Sequence, residues 1–347
     1  MQAVLCGYYG YGNGGDEALL ATLLQFLPGH VLPVVLSSNP AYTQELHGVP
    51  ACDRNDLPAV FKLLRNSQAF IWGGGSLIQD STSALSPWYY CGLMLVARLM
   101  GLKTIAWAQG IGPLQRPQTQ WIAKQAFQSC VAMSVRDSGS EAWVHRWRRS
   151  VITAPDPVWA LEASPITVLE GLPSPRIAVV LRSHPLLTPE RLSKVVKALE
   201  ALHAQTQAQV VLIPFQKSQD LEIAQALHAQ IPQISYLIQL TDPSQLKGIF
   251  QCVEMVIAMR LHGLIMAAAE GCRCFGISYD PKVRRLMDEI NCPGWDLADF
   301  PEDVSAMVTQ WIQVYQANPC LTQSQRQTLM EQARQHQNVL SILASAP

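Results

Sequence analysis

Arg260-Leu261-His262-Gly263 sets a guanidinium and an imidazole two residues apart, and Tyr279-Asp280-Pro281-Lys282 adds an ammonium shortly after. A guanidinium fixes an anion, an imidazole moves a proton near neutral pH, and a lysine supplies a compact point charge. These three groups suit an anionic substrate whose reaction needs a proton exchanged. The apolar run 253–258 predicts a buried strand and the small-residue run 264–270 a helix, so Arg260 and His262 fall in the turn between them. Turns of this kind lie at the carboxyl ends of parallel strands, where helix N-termini converge on ligands. The plainer reading, an arginine capping a carbonyl and a histidine satisfied in the core, is outweighed by the recurrence of cations on two successive strand-to-helix turns. Arg182, His184 and Lys217 read instead as solvated loop residues.

The amino-terminal half carries a different chemistry. A short strand at 3–6 runs into Gly7-Tyr8-Tyr9-Gly10-Tyr11-Gly12-Asn13-Gly14-Gly15-Asp16-Glu17, and a helix is predicted over 18–26. Glycines at this density allow close backbone approach, and the following helix turns its N–H groups and dipole back on the loop, which makes a cradle for an anion or a sugar. The pattern lacks the Lys-Ser/Thr pair of a P-loop, and no clean dinucleotide fingerprint is present. Gly12, Asn13 and Asp16 are the site candidates here, whereas Glu17 reads as a helix-start carboxylate. A strand at 69–72 leads into Gly73-Gly74-Gly75-Ser76 and a hydroxyl-rich turn running to Ser83. Ser76 suits a sugar hydroxyl there, and Asp80 is the residue most able to act as a base. A strand at 103–108 ends in a third glycine-bearing turn, 109–113, and one at 131–135 ends in Arg136-Asp137 at the same edge.

Repeated strand, polar turn and helix units predict parallel sheets. At 347 residues the chain exceeds one comfortable core, and the proline-rich segment around 162–175 divides it. The expected architecture is α/β, with two Rossmann-like domains facing a central cleft in the GT-B manner. The expected boundaries are 1–163 on the acceptor side, a linker at 164–175, 176–320 on the donor side, and a helical segment 321–347 that crosses back to brace the first domain. Charged residues are only 15% of the chain, and 25 lysines and arginines meet 26 acids without a basic run, which excludes an electrostatic nucleic-acid partner. Nine cysteines without a C-x-x-C pair read as reduced core thiols of a cytoplasmic protein. No apolar run is long enough to span a membrane, while Trp88-Tyr89-Tyr90 leaves a peripheral contact with its inner face open. No metal-ligand spacing is visible, so the chemistry is expected to rest on side chains and backbone amides.

Six motifs in this order, 7–17, 73–83, 109–113, 135–137, 260–263 and 279–282, resemble those of the polysaccharide pyruvyl transferase family, most closely its CsaB type. The resemblance implies a GT-B fold, phosphoenolpyruvate as co-substrate with no further cofactor, and a 4,6-linked pyruvate ketal placed on a sugar of a lipid-linked or polymeric glycan. In CsaB relatives that sugar is an N-acetylmannosamine of a cell-wall polymer precursor. Phosphoenolpyruvate carries a carboxylate and a phosphate, so Arg260 and Arg136 are expected to hold it bidentately, Lys282 to meet the phosphate, and Leu261 to lie in the donor motif. His262 is then the proton shuttle, and Asp16 or Asp80 the base for the acceptor hydroxyl, with Asn13 orienting it. Two other readings stay open: a nucleotide-sugar glycosyltransferase of the same fold, with Glu270 as its ribose ligand, and a non-catalytic anion- or glycan-binding protein.

Overall fold

A computed structural model describes residues 1–81, 83, 85–147 and 149–344; Thr82 of the hydroxyl-rich turn lies outside the described residues. The chain forms two compact units, Met1–Leu161 with Leu329–Pro347, and Glu162–Thr328. In the first, β1 (Gln2–Cys6), β2 (Leu32–Ser37), β3 (Ala51–Asp53), β4 (Ala69–Trp72), β5 (Gly75–Ile78), β6 (Lys103–Ile111), β7 (Ala132–Val135) and β8 (Ile152–Thr153) form a parallel sheet in the order β3-β2-β1-β4-β6-β7-β8, with β5 pairing β6 off that path. Strands covered by helices on both faces need apolar side chains pointing both ways, and Ala3 to Leu5 and Ala69 to Trp72 are accordingly fully buried. The order reverses between β1 and β4. That switch point lies at the carboxyl edge of the sheet, where open α/β folds bind ligands.

One expected turn is a strand. The expectation placed a glycine-bearing turn at 109–113, but β6 continues through Ile111 because β5 supplies a partner, pairing Gly75 with Gln109 and Ile78 with Ile111. In the second unit, β9 (Arg176–Val180), β10 (Gln209–Leu212), β11 (Ser235–Leu237), β12 (Met255–Ala258), β13 (Arg273–Ser278) and β14 (Gly294–Asp296) run parallel in the order β11-β10-β9-β12-β13-β14. The reversal here falls between β9 and β12. Each unit has its own core, one centred on Trp72 and Phe127, the other on Phe275 and Trp311.

The segment expected as a linker is packed into the second unit. Leu169 is 3% exposed, the Ser164 N–H donates to the Ser244 carbonyl at 3.0 Å, and the Arg176 guanidinium donates to the carbonyls of Leu169, Leu172 and Pro173. An arginine at the start of β9 thereby pins the proline-rich chain to its own unit.

The carboxyl-terminal chain enters the first unit from Leu329. Val339, Leu340 and Leu343 of the 3-10 segment Arg334–Leu343 are buried, and Lys103 and His30 bond the Ile342 and Leu343 carbonyls. His336, fully buried, places Nε2 2.8 Å from the Pro155 carbonyl and Nδ1 2.8 Å from Ser134 Oγ. A carbonyl only accepts, so Nε2 carries the proton and Nδ1 accepts from the Ser134 hydroxyl. Ser134 Oγ in turn accepts the N–H of Ala108, a left-handed residue (φ 49°) whose N–H has left the regular ladder. Burial, opposed by the Pro155 carbonyl, pushes the His336 pKa down to about 4. An unfolded histidine titrates near 6.5, so between roughly pH 6.5 and 4 the unfolded chain binds a proton that the folded chain refuses, and stability falls as pH falls. Denaturant titrations should show a loss of about 2 kcal/mol from this group between about pH 7.5 and pH 5. A His336→Gln variant should lack that portion of the pH slope; an unchanged slope would mean His336 is already charged in the folded protein.

Candidate active site

In the second unit the segment from β12 into the helix Leu261–Ala269 is buried apart from Leu261 and His262, which are half-buried, with Arg260 8% exposed. Arg260 is the extended residue at the helix start, and its side chain makes no cap bond to that helix. It turns instead to Asp220. Arg260 Nε donates to Asp220 Oδ2 at 3.1 Å and Nη2 to Oδ1 at 2.5 Å, while Nη2 also reaches Gln216 and Gln219 at 3.3 and 3.2 Å. Asp220 is fully buried and also accepts the Phe215 and Gln216 N–H groups. The Nη1 nitrogen has no partner among the described residues. The bidentate grip expected of Arg260 is thus corrected: Asp220 occupies the Nε/Nη2 edge, and Nη1 is the nitrogen left to meet a ligand.

His262 sits in the first helical turn, where backbone N–H groups lack intrahelical partners and suit an anion. Lys282 holds the equivalent place in the helix Pro281–Glu289 after the adjacent strand β13, with its N–H capped by Asp280 Oδ1 at 2.7 Å. Arg182, set aside on sequence grounds, joins this group. It follows β9, on the other side of β12, and its Nη1 donates to the Tyr279 hydroxyl at 3.0 Å, with the guanidinium 4.7 Å from that ring. Tyr279 follows β13, so the contact spans the end of β12, and His184 lies 5.6 Å from the same ring. The signal available in the sequence was positional: the residue leaving the first strand of a Rossmann unit lies at its switch point. Lys217, exposed after β10, lies one strand away.

Glu270 is elsewhere. It ends the helix that Arg260 begins, about 15 Å away at 1.5 Å per residue. Its carboxylate meets Lys247 at 3.6 Å and accepts from Gln251 at 2.7 Å. Burial, opposed by Glu270, brings the Lys247 pKa down to about 8.

In the first unit, Asn13 caps the helix Gly14–Phe26: its Oδ1 accepts the Gly15 N–H at 3.1 Å, and its Nδ2 donates to Asp16 Oδ2 at 2.6 Å. Gly12 takes φ +65°, which lets the loop turn into that helix. Asp16 is half-buried, and its Oδ1 is 3.6 Å from the position a Cβ on Gly75 would take, so the loops leaving β1 and β4 meet at this carboxylate. Glu17 is buried, accepting the Gly10 N–H at 2.9 Å and pairing with His47 at 3.0 Å. It holds the glycine loop in shape.

Gly73 shows how closely the two loops pack. A Cβ there would stand 1.9 Å from the hydroxyl of Tyr9, a fully buried side chain whose hydroxyl has no partner among the described residues. Gly73→Ala should cost about 1–3 kcal/mol by overpacking. Adding Tyr9→Phe removes the clashing oxygen and should restore most of that loss, measured by urea unfolding. A double variant no more stable than Gly73→Ala alone would place the strain elsewhere.

Arg136, Ser76 and Asp80 are placed differently from expectation. Arg136 donates to Asp156 Oδ2 at 2.7 Å and to Ser76 Oγ at 2.5 Å, and it is fitted over Gly110, where a Cβ would be 3.0 Å from its Nε. Its charge is balanced within the first unit, and Ser76 serves as its acceptor. Asp80 is 6% exposed and accepts from the Gln115 and Arg116 N–H groups, each at 2.8 Å, and from the Thr119 hydroxyl at 2.5 Å. Burial alone would raise its pKa, but these bonds prevail and hold the carboxyl below its ordinary range. Such surroundings suit a staple between the loop after β5 and the helix Pro117–Ser129, not a proton acceptor.

The sequence model of the family described as polysaccharide pyruvyl transferase matches residues 13–281. The chain belongs to that family. The matched span takes in Asn13, Asp16, Ser76, Asp80, Arg136 and the Arg260-Leu261-His262 turn, and stops one residue short of Lys282. A search of curated proteins gives no match. Among solved structures, a putative UDP-N-acetylglucosamine 2-epimerase from Listeria monocytogenes is similar at TM-score 0.65 and 9% identity, over 99% of this chain and 95% of that one. The UDP-GlcNAc 2-epimerase of Methanocaldococcus jannaschii follows at TM-score 0.62 and 10% identity, over 99% of each chain. Spinosyn rhamnosyltransferase SpnG gives 0.61 and 9%, over 99% and 98%. At such identities the likeness concerns the fold, which is GT-B. Among the described residues no helix is long and apolar enough to cross a membrane, and no group of three or more His, Cys, Asp or Glu is placed to hold a metal ion.

Proposed function

We propose that this family member transfers pyruvate from phosphoenolpyruvate to two hydroxyls of one sugar in a cell-wall or surface glycan precursor, releasing phosphate. The observation that carries this reading is the recurrence of cationic side chains on the turns leaving three neighbouring strands of the second unit: Arg182 after β9, Arg260 and His262 after β12, and Lys282 after β13. The donor bears a carboxylate and a phosphate, and cations fixed at a helix start match both. His262 gives a proton to C3 of the enol, which becomes a methyl group and leaves C2 oxocarbenium-like. One sugar hydroxyl attacks C2, phosphate departs, and the second hydroxyl closes the 4,6-ketal. Of the two hydroxyl protons lost, one replaces that given to C3 and the other leaves on phosphate. Asp16, steadied by Asn13, is the base that receives the acceptor proton.

The nucleotide-sugar alternative needs a carboxylate at the donor site, and Glu270 is held by Lys247 and Gln251 at the far end of the helix. A binding protein without activity would need no imidazole beside the anion. Mass spectrometry of N-acetylhexosamine glycosides after incubation with protein and phosphoenolpyruvate is expected to show the acceptor heavier by one pyruvate less one water. An acceptor left unmodified with phosphoenolpyruvate but glycosylated by a nucleotide sugar would reverse the choice.

A further inference from the structure

Arg54 follows β3 in the first unit and is 9% exposed, yet no carboxylate pairs with it among the described residues. Its Nη1 donates to the Gly7 carbonyl at 3.4 Å and to the Tyr90 hydroxyl at 3.2 Å. The Tyr89 hydroxyl is a further acceptor for the guanidinium, so the partners of this cation are neutral oxygens. The guanidinium lies 4.4 Å from the Tyr89 ring, 5.3 Å from Tyr90 and 5.8 Å from Tyr11. Aromatic faces stabilise a cation only modestly, whereas removing an unpaired one from water costs several kcal/mol. The contrast with Arg136 and Arg260 is direct, because each of those has its own buried carboxylate. A cation kept without a counter-ion beside the Gly7 carbonyl, where the glycine loop begins, has the character of a site that receives its anion from a ligand.

The glycine loop also limits the shape of that ligand. Tyr8 and Tyr11 of the same loop stack at 4.0 Å with their planes 10° apart, and Tyr11 is 41% exposed. Two parallel rings held together on a loop offer a rigid flat face, the surface on which the C–H face of a pyranose packs. Asp16 lies a few residues farther along this loop.

We propose that Arg54 is an acceptor-recognition residue that binds a phosphate ester on C1 of the acceptor sugar, whose ring stacks on the Tyr8–Tyr11 pair. C1 lies across the pyranose from C4, so a sugar held by its C1 phosphate turns its 4- and 6-hydroxyls away from the cation. The inference rests on pyruvyl transfer for the identity of the acceptor, but the site is testable without turnover. Calorimetric titration of the full chain with N-acetylhexosamine 1-phosphate, the unphosphorylated sugar, inorganic phosphate and phosphoenolpyruvate separates the sources of the anion. The sugar phosphate is expected to bind about 10-fold or more tighter than the free sugar, as a charge-assisted pair provides. Arg54→Gln should abolish that preference and leave phosphoenolpyruvate binding unchanged, and Arg54→Lys should keep part of it. If Arg54→Gln fails to fold, Arg54→Lys carries the test, since it keeps the charge but loses the planar fork and should lower the preference while phosphoenolpyruvate binding holds. Equal binding of sugar and sugar phosphate overturns the proposal, as does an Arg54→Gln variant that loses phosphoenolpyruvate or inorganic phosphate to the same degree. Failure to transfer pyruvate in a protein that keeps the preference would overturn the reaction and leave the site standing.

Discussion

His262→Ala is expected to slow acceptor-dependent phosphate release from phosphoenolpyruvate by about 10²–10⁴-fold, the usual worth of a positioned acid or base. The loss should appear in kcat. His262 is half-buried in the first helical turn, and Arg260 is anchored by Asp220. Donor affinity should therefore stay within a few-fold of the parent, and stability within about 1 kcal/mol. His262→Gln, which keeps a hydrogen-bond donor but cannot move a proton, should be nearly as slow as the alanine variant. If the glutamine variant retained most of the rate, His262 would be a binding group and the acid would lie elsewhere.

The largest expected effect on folding comes from Asp220. Its carboxylate has no exposure, balances Arg260 and takes two backbone N–H groups. Asp220→Ala leaves a guanidinium, two amides and the space of a side chain unanswered, and should cost about 3–5 kcal/mol, as expected when one partner of a buried pair is removed. Donor affinity should fall with it, because Nη1 is aimed only while the opposite edge is held. Asp220→Ala combined with Arg260→Met removes the unpaired charge and should recover part of the stability in urea unfolding, with none of the donor affinity. Recovery of both would show that the pair serves folding alone. No recovery of stability would show that the backbone amides, and not the charge, set the cost.

The parts of this molecule legible in the sequence are those whose cause is local. Buried parallel strands read as apolar runs, and glycine or Asx residues mark where each gives way to a helix, which is why the Arg260, His262 and Lys282 turns stand out. What stayed hidden depends on partners distant in the chain. Arg260 and Asp220 are 40 residues apart, and Arg182 and Tyr279 are 97 apart, so neither pair leaves a periodic trace. The same holds for the acids: Asp80 looked like a free loop carboxylate, and its donors lie 35 to 39 residues later. β5 was missed because Gly75 and Ser76 read as turn, and β3 and β14 because three residues are too few to show alternation. The cysteines appear scattered in sequence, yet the Cys292 and Cys320 thiols both point to the Cys274 carbonyl, at 3.4 and 3.7 Å.

If the cations of the second unit serve phosphoenolpyruvate, phosphate release by the purified protein follows that chemistry. Purified protein is incubated with phosphoenolpyruvate alone, with N-acetylhexosamine acceptors alone, and with both, and phosphate is measured over time beside Arg260→Ala. The expected result is release only when donor and acceptor are both present, and almost none from the variant. Absence of release with every acceptor, together with no detectable phosphoenolpyruvate binding, would contradict the assignment and return the site to a nucleotide-sugar donor.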